Sequence, residues 1–311
     1  MANIGVIDLG SNSVRVSVAN KENGEVIYIG KNPIKLSQGM NRDMLLKEEP
    51  VKRCKEAFLQ IKEIMKRFEA EEIYAFATAA VRKAHNKKEF IDFIKQETGI
   101  EIFVLTGEAE AELDCIGVLD KTGIKDALIL DTGGGSTEFI GVKAGKIVGA
   151  VSVPIGSRSI KELFFGGGET PCGIEKAKEE IEKIIDGIPW LESLYGFSVI
   201  GIGGSNRTVG KIYLESIGPD FLIDKLIMDY DEVIEIISRI EVAPVEERLK
   251  INGITPDRAD IILGGVLPLK VLMTKLKSPM LYITDAGLRD GIIKKIRENP
   301  AEMEKYATFI E

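Results

Sequence analysis

Apolar residues recur along this chain with two distinct periods. Near the start, NIGVIDLG is an almost unbroken apolar run, and in SVRVSVAN the residues Val14, Val16 and Val18 alternate with Ser13, Arg15 and Ser17. Alternation at period two predicts strands, and the Asn23-Gly24 turn before EVIYIG predicts a third. Over 51–68 the period lengthens, with Cys54, Phe58, Ile61 and Met65 on one face of a predicted helix. EEIYAFAT then reads as a buried strand, EFIDFIKQETG as a helix stopped by Gly99, IEIFVLTG as a strand and EAEAELDCIGVL as a helix.

The pattern then restarts. ALILDTGGGSTEFIGVKAGKIVGAVSV is again strand, glycine turn, strand, turn, strand. Helical residues follow, most clearly in GIEKAKEEIEKIIDGI, then the strand FSVIGIGG and a helix from about Ser205. A helix near 257–276, the strand MLYITDAG and a helix over 288–298 close the chain. DLGSNS at 8–13 and DTGGGS at 131–136 share D-x-G-x-x-S, offset by 131 − 8 = 123 residues. Each opens a three-strand meander followed by alternating helices and strands, so two copies of one α/β module are expected.

Successive glycines let backbone N–H groups converge on an anion with no side chain in the way. An acid at the preceding strand end cannot bind phosphate, but it can hold Mg²⁺ or orient water. Asp8 and Asp131 stand there in the two copies, and Glu138 follows on the next strand. GIGGS at 201–205 and ITDAGLRDG at 283–291 repeat the transition from strand to glycine. Together these turns predict phosphates held between two lobes. No G-x-x-x-x-G-K-[ST] occurs, and GIGGSNRTVG lacks the third glycine of a dinucleotide fingerprint.

Composition narrows the chemistry. One histidine, His85, excludes His-rich metal centres and H-E-x-x-H proteases; His85 itself is expected to be a solvated helix-end residue. Cys54, Cys115 and Cys172 are widely spaced and odd in number, which fits a reducing cytoplasm rather than a disulfide framework. A net charge of −8 disfavours binding to a nucleic acid duplex. No apolar run is long enough to span a bilayer, and MANIGVIDLGSN enters a strand without a signal-peptide pattern.

The ordered set DLGSNSVR, ATAAVRKAHN, TGEAEAEL, DTGGGSTE, SVPIG, GIGG, DRAD and DAGLRDG, spread over nearly the whole chain, resembles the exopolyphosphatase/guanosine pentaphosphate phosphatase family of the actin-like ATPase superfamily. The resemblance implies an α/β fold of two actin-like (ribonuclease H-like) lobes, each a mixed β-sheet flanked by helices, with an interdomain cleft. Residues 1–118 would form lobe I, joined by the C-terminal helix over about 288–311, and 119–287 lobe II. It implies Mg²⁺-dependent hydrolysis of a terminal phosphoanhydride in inorganic polyphosphate or guanosine pentaphosphate, and no residue chooses between the two substrates. Glu110 would activate water in the cleft, with Glu108 in reserve, and Arg82 would hold phosphate. Asp131, Glu138 and Asp8 would hold Mg²⁺ or another divalent cation. Ser11, Asn12, Ser13 and Arg15 would line a first phosphate turn, Gly133, Gly134, Gly135 and Ser136 a second, and Gly203, Gly204, Ser205 and Asn206 a third. A homodimer is a further expectation of the resemblance.

The chain departs from the family at Glu112, where many relatives have arginine, at Lys35-Leu36-Ser37 in place of Arg-Leu-Gly, and at Ser157-Arg158-Ser159, where a basic residue is displaced. These changes bear on substrate length and affinity. The HD-type domain of long family members is absent from the sequence, so a less processive enzyme is expected. Two rivals stay open: an actin-like kinase, for which no adenosine pocket or acceptor aspartate is identified, and a non-catalytic sensor of polyphosphate or an alarmone. FFGGGETPCG is expected to be a mobile loop carrying the most exposed cysteine, and Trp190 to pack between helices. The tail AEMEKYATFIE could dock or fray.

Overall fold

In the computed structural model, which describes residues 2–40, 43–218, 223 and 226–308, the repeat is visible strand by strand. The first module opens with β1 (Asn3–Leu9), β2 (Ser13–Asn20) and β3 (Val26–Pro33), an antiparallel meander. There follow α1 (Glu48–Arg67), β4 (Ala70–Ala77), α2 (Ala79–Lys83), α3 (Lys87–Thr98), β5 (Ile102–Leu105) and α4 (Gly107–Thr122). The second opens with β6 (Ala127–Thr132), β7 (Thr137–Lys143) and β8 (Lys146–Val153), again an antiparallel meander. It continues through α5 (Ser157–Phe164), α6 (Pro171–Asp186), a 3₁₀ turn (Pro189–Leu194), β9 (Val199–Ile202) and α7 (Gly203–Ile217). β10 (Leu226–Asp229), α8 (Tyr230–Val242), α9 (Val245–Arg248), α10 (Ile262–Leu276) and β11 (Met280–Ile283) complete it. α11 (Leu288–Glu298), a 3₁₀ turn (Pro300–Glu302), α12 (Met303–Tyr306) and β12 (Ala307–Thr308) return to the first module. The two units are thus Met1–Gly117 with Gly287–Glu311, and Val118–Ala286.

The sheets have one topology. The strand order β3-β2-β1-β4-β5-β12 in the first matches β8-β7-β6-β9-β11-β10 in the second. Each meander is joined by two parallel strands and ended by an antiparallel edge strand. β1 is apolar on both faces because both are covered. Ile7 and Leu9 enter a core with α1 and α3, while Ile4 and Val6 face α4 and α11. Asp8 follows the same alternation onto the α4 face of the sheet.

Several elements depart from expectation. β10 and α8 lie outside the expected elements, although Asp229 and Glu232 exchange capping bonds of 2.9 and 2.8 Å and Val233, Ile236, Ile237 and Ile240 form a buried stripe. Trp190 does not pack between helices. Its ring lies on β7 and β8, where a methyl at Gly149 would fall 2.3 Å from it. The loop after α5 is tethered: Glu169 accepts both Nη groups of Arg248, which is fully buried, and the Thr170 hydroxyl accepts from Gly173 N–H. Cys172 is exposed there, while Cys54 and Cys115 are buried. The tail docks through β12 on β5, with 309–311 outside the described residues.

Candidate active site

The two D-x-G-x-x-S turns close in the same way. Gly10 N–H donates to Ser13 O at 3.0 Å, and Gly133 N–H to Ser136 O at 2.9 Å. In both copies the segment after the third strand takes up the turn's carbonyls. Asn12 O accepts from Ile34 and Lys35, and Ser11 O from Ser37. Gly133 O accepts from Ser157, and Gly134 O from Arg158 and Ser159. Gly156 is required by this closure, since a methyl on it would meet Gly134 C and Ser136 N at 2.7 Å.

In the first unit the expected residues form two charge pairs. Asp8 and Arg15 face each other in the β1–β2 register, with an ion-pair distance of 3.9 Å. Ser11 and Ser13 lie in the same turn, both buried. Glu110, in the first turns of α4, accepts from Arg82 Nη1 at 2.8 Å, and the same nitrogen donates to Leu105 O at 2.9 Å. Arg82 sits on the short α2 directly after β4, so the ends of two parallel strands and the start of α4 converge on this pair. The glutamate side chain is only 10% exposed. Glu108 is exposed, and Glu112 accepts from the Tyr306 hydroxyl at 3.0 Å. The Glu112 departure therefore has a local partner in the C-terminal segment.

In the second unit Asp131 and Glu138 oppose each other across β6 and β7. Glu138 is almost fully buried and accepts from the Ser152 hydroxyl at 2.7 Å. The SVPIG motif thereby acquires a physical reason. Ser152 orients Glu138, Ile155 O accepts from the Thr137 hydroxyl, and Gly156 seats the turn.

The GIGGSN segment differs from expectation. The Ser205 and Asn206 side chains line no anion cradle, because both are turned inward, 1% and 0% exposed. The Asn206 amide donates to Leu130 O and Ile202 O, each at 2.8 Å, tying β6 to β9. Ser205 packs on Gly265. The two glycines serve close approaches: Gly203, with φ +76°, leaves room for Asp131 Oδ1, and Gly204 for the Arg258 guanidinium. Arg258 belongs to DRAD, whose position beside the α7 N-terminus no local sequence signal gives. Arg158 is buried beside the second turn, where burial pulls its guanidinium down against the pull of Asp260 and Glu162.

Among the described residues no three acidic, histidine or cysteine side chains gather as a metal cluster. The Asp131–Glu138 pair nonetheless fits Mg²⁺. Hard oxygen donors suit that ion, which takes one or two protein carboxylates and fills its shell with water. Among those residues, too, no helix is long and apolar enough to cross a membrane.

A sequence profile of the Ppx/GppA phosphatase family matches residues 17–299. The chain is 29% identical to a bifunctional 3-dehydroquinate synthase/phosphatase of Fusobacterium nucleatum, over 94% of this chain and 46% of that one. It thus spans about half that relative's length. An exopolyphosphatase from Cytophaga hutchinsonii, 24% identical, has the same fold, with a TM-score of 0.85 over 95% of this chain and 98% of that one. A Ppx/GppA family member from Aquifex aeolicus is 25% identical, with a TM-score of 0.78 over 96% and 99%. A profile that runs from β2 to the end of α11 decides the affiliation: this chain belongs to the Ppx/GppA phosphatase family.

Proposed function

We propose that this protein is a Mg²⁺-dependent phosphohydrolase that removes the terminal phosphate of inorganic polyphosphate, of guanosine pentaphosphate, or of both. The observation that carries this reading is the Arg82–Glu110 pair, a nearly buried carboxylate held at 2.8 Å by an arginine. Family membership supports the phosphatase chemistry.

Glu110 takes a proton from water as its oxygen attacks phosphorus, and the bridging P–O bond breaks toward the shortened chain. Orthophosphate leaves from the attacked end. Arg82 fixes Glu110 and offers its planar fork to a phosphoryl oxygen. The proposed phosphate donors are the backbone amides of Ser11 to Ser13 in the first unit and, in the second, those of Gly134 to Ser136 with Gly203 and Gly204. Arg258, beside Gly204, adds a cation to this set. Asp131 and Glu138 would hold Mg²⁺, with Asp8 as the remaining acid. When bound, the ion neutralises phosphate charge.

The test is phosphate release, with and without Mg²⁺, from medium-length polyphosphate and from guanosine pentaphosphate. Release that requires Mg²⁺ is expected, and the faster substrate names the activity. No release from either substrate overturns the proposal.

A further inference from the structure

Beside the Arg82–Glu110 pair, on its β5 side, a cavity of about 250 Å³ opens in the first unit. Its polar lining is Arg82, Lys87, Thr106 and Glu108, over a floor of Val104 and Leu105. Glu110 is not part of the lining. Arg82 thus bonds Glu110 through Nη1 while also lining this second compartment.

Lys87 is the informative residue. It is half-buried at the start of α3, and among the described residues its ammonium has no ion pair and no hydrogen bond. Other lysines of the same unit are paired, Lys55 with Glu97 and Lys95 with Glu101. An ammonium beside a cavity, with no ion pair of its own, is stabilised by an anion that enters. The Thr106 hydroxyl accepts from Ala109 N–H at 3.1 Å, so its own proton can be donated to a ligand. Glu108 is exposed at the mouth and repels a highly charged chain more than a small oxyanion. The cavity has room for one orthophosphate with several waters.

We propose that this cavity binds orthophosphate, with Arg82 and Lys87 as its cationic walls and Thr106 as a neutral donor. The inference rests on the hydrolase reading only for the source of the anion, the phosphate released on the Glu110 side of Arg82.

Calorimetric titration of inorganic phosphate into the full chain, without polyphosphate, tests it. Saturable binding is expected for wild type. Lys87→Gln weakens it about tenfold, the scale of one charge-assisted hydrogen bond. Glu108→Gln tightens it about threefold, the scale of an exposed charge. The second variant moves affinity in the opposite direction, so the test stands even where Lys87→Gln fails to fold. Absence of saturable binding to wild type, or equal affinity in all three proteins, overturns the proposal. The two readings separate, because phosphate binding without polyphosphate or pentaphosphate hydrolysis leaves the cavity site standing and removes the hydrolase.

Discussion

Replacing Gly203 by alanine puts one methyl group where the fold has no room. At φ +76° an L-residue carries a backbone cost of about 1 kcal/mol. The new carbon also falls 1.9 Å from Asp131 Oδ1, an approach that cannot persist. Asp131 must rotate away, and overpacking of this kind costs about 1–3 kcal/mol. The sum is about 3 kcal/mol, which in the second unit lowers its melting temperature by about 6–12 °C. In an Asp131→Ala background the collision is gone, and the same substitution should cost only the backbone share, about 2–4 °C. The assay is a double-mutant cycle by thermal unfolding, with the Mg²⁺ dependence of phosphate release followed in parallel. Gly203→Ala should raise the Mg²⁺ needed for half-maximal activity, because it displaces a proposed ligand. An equal loss of stability in both backgrounds would refute the reasoning, since it would show that the glycine is kept for its backbone angle alone.

Other expectations follow from the same geometry. Glu169→Ala strands the fully buried Arg248 guanidinium, and breaking such a pair costs about 3–5 kcal/mol; denaturant unfolding should show the loss, while Lys95→Ala, at an exposed pair with Glu101, costs under about 1 kcal/mol. Burial pushes the Cys54 thiol up, and burial with the charges of Asp114 and Glu112 pushes Cys115 up to about 12. Only thiolates alkylate, so between pH 7 and 9 the folded protein should take up a single maleimide, at Cys172, by mass spectrometry of its peptides.

What the sequence discloses is local. The alternation in SVRVSVAN and the matching acid, glycine and serine of the two turns lead directly to twin meanders with the same turn bond. The Glu110 and Arg82 assignments came from the family motifs, and the 2.8 Å contact between them joins residues 28 apart. What escaped depends on distance in the chain or on a single angle. Asn206 looks like a phosphate ligand in GIGGSN, yet its amide is spent on Leu130 O and Ile202 O. Arg258 meets Gly204 across 54 residues, a contact without local signature. Trp190 found two glycines on a sheet, where pattern alone suggested helices. α8 is different, because its Asp229–Glu232 capping box and apolar stripe are local signals, legible in the sequence itself.

The central claim, that Glu110 activates water for phosphoanhydride hydrolysis, is tested most directly by Glu110→Gln. The substitution keeps size and hydrogen-bonding shape but removes the proton acceptor. Phosphate release from the better of the two substrates should fall about 10²–10⁴-fold, while substrate binding, followed by titration, stays within a few-fold of wild type. Release at the wild-type rate, with binding intact, would contradict the account and leave Glu110 as a buried partner of Arg82 and nothing more.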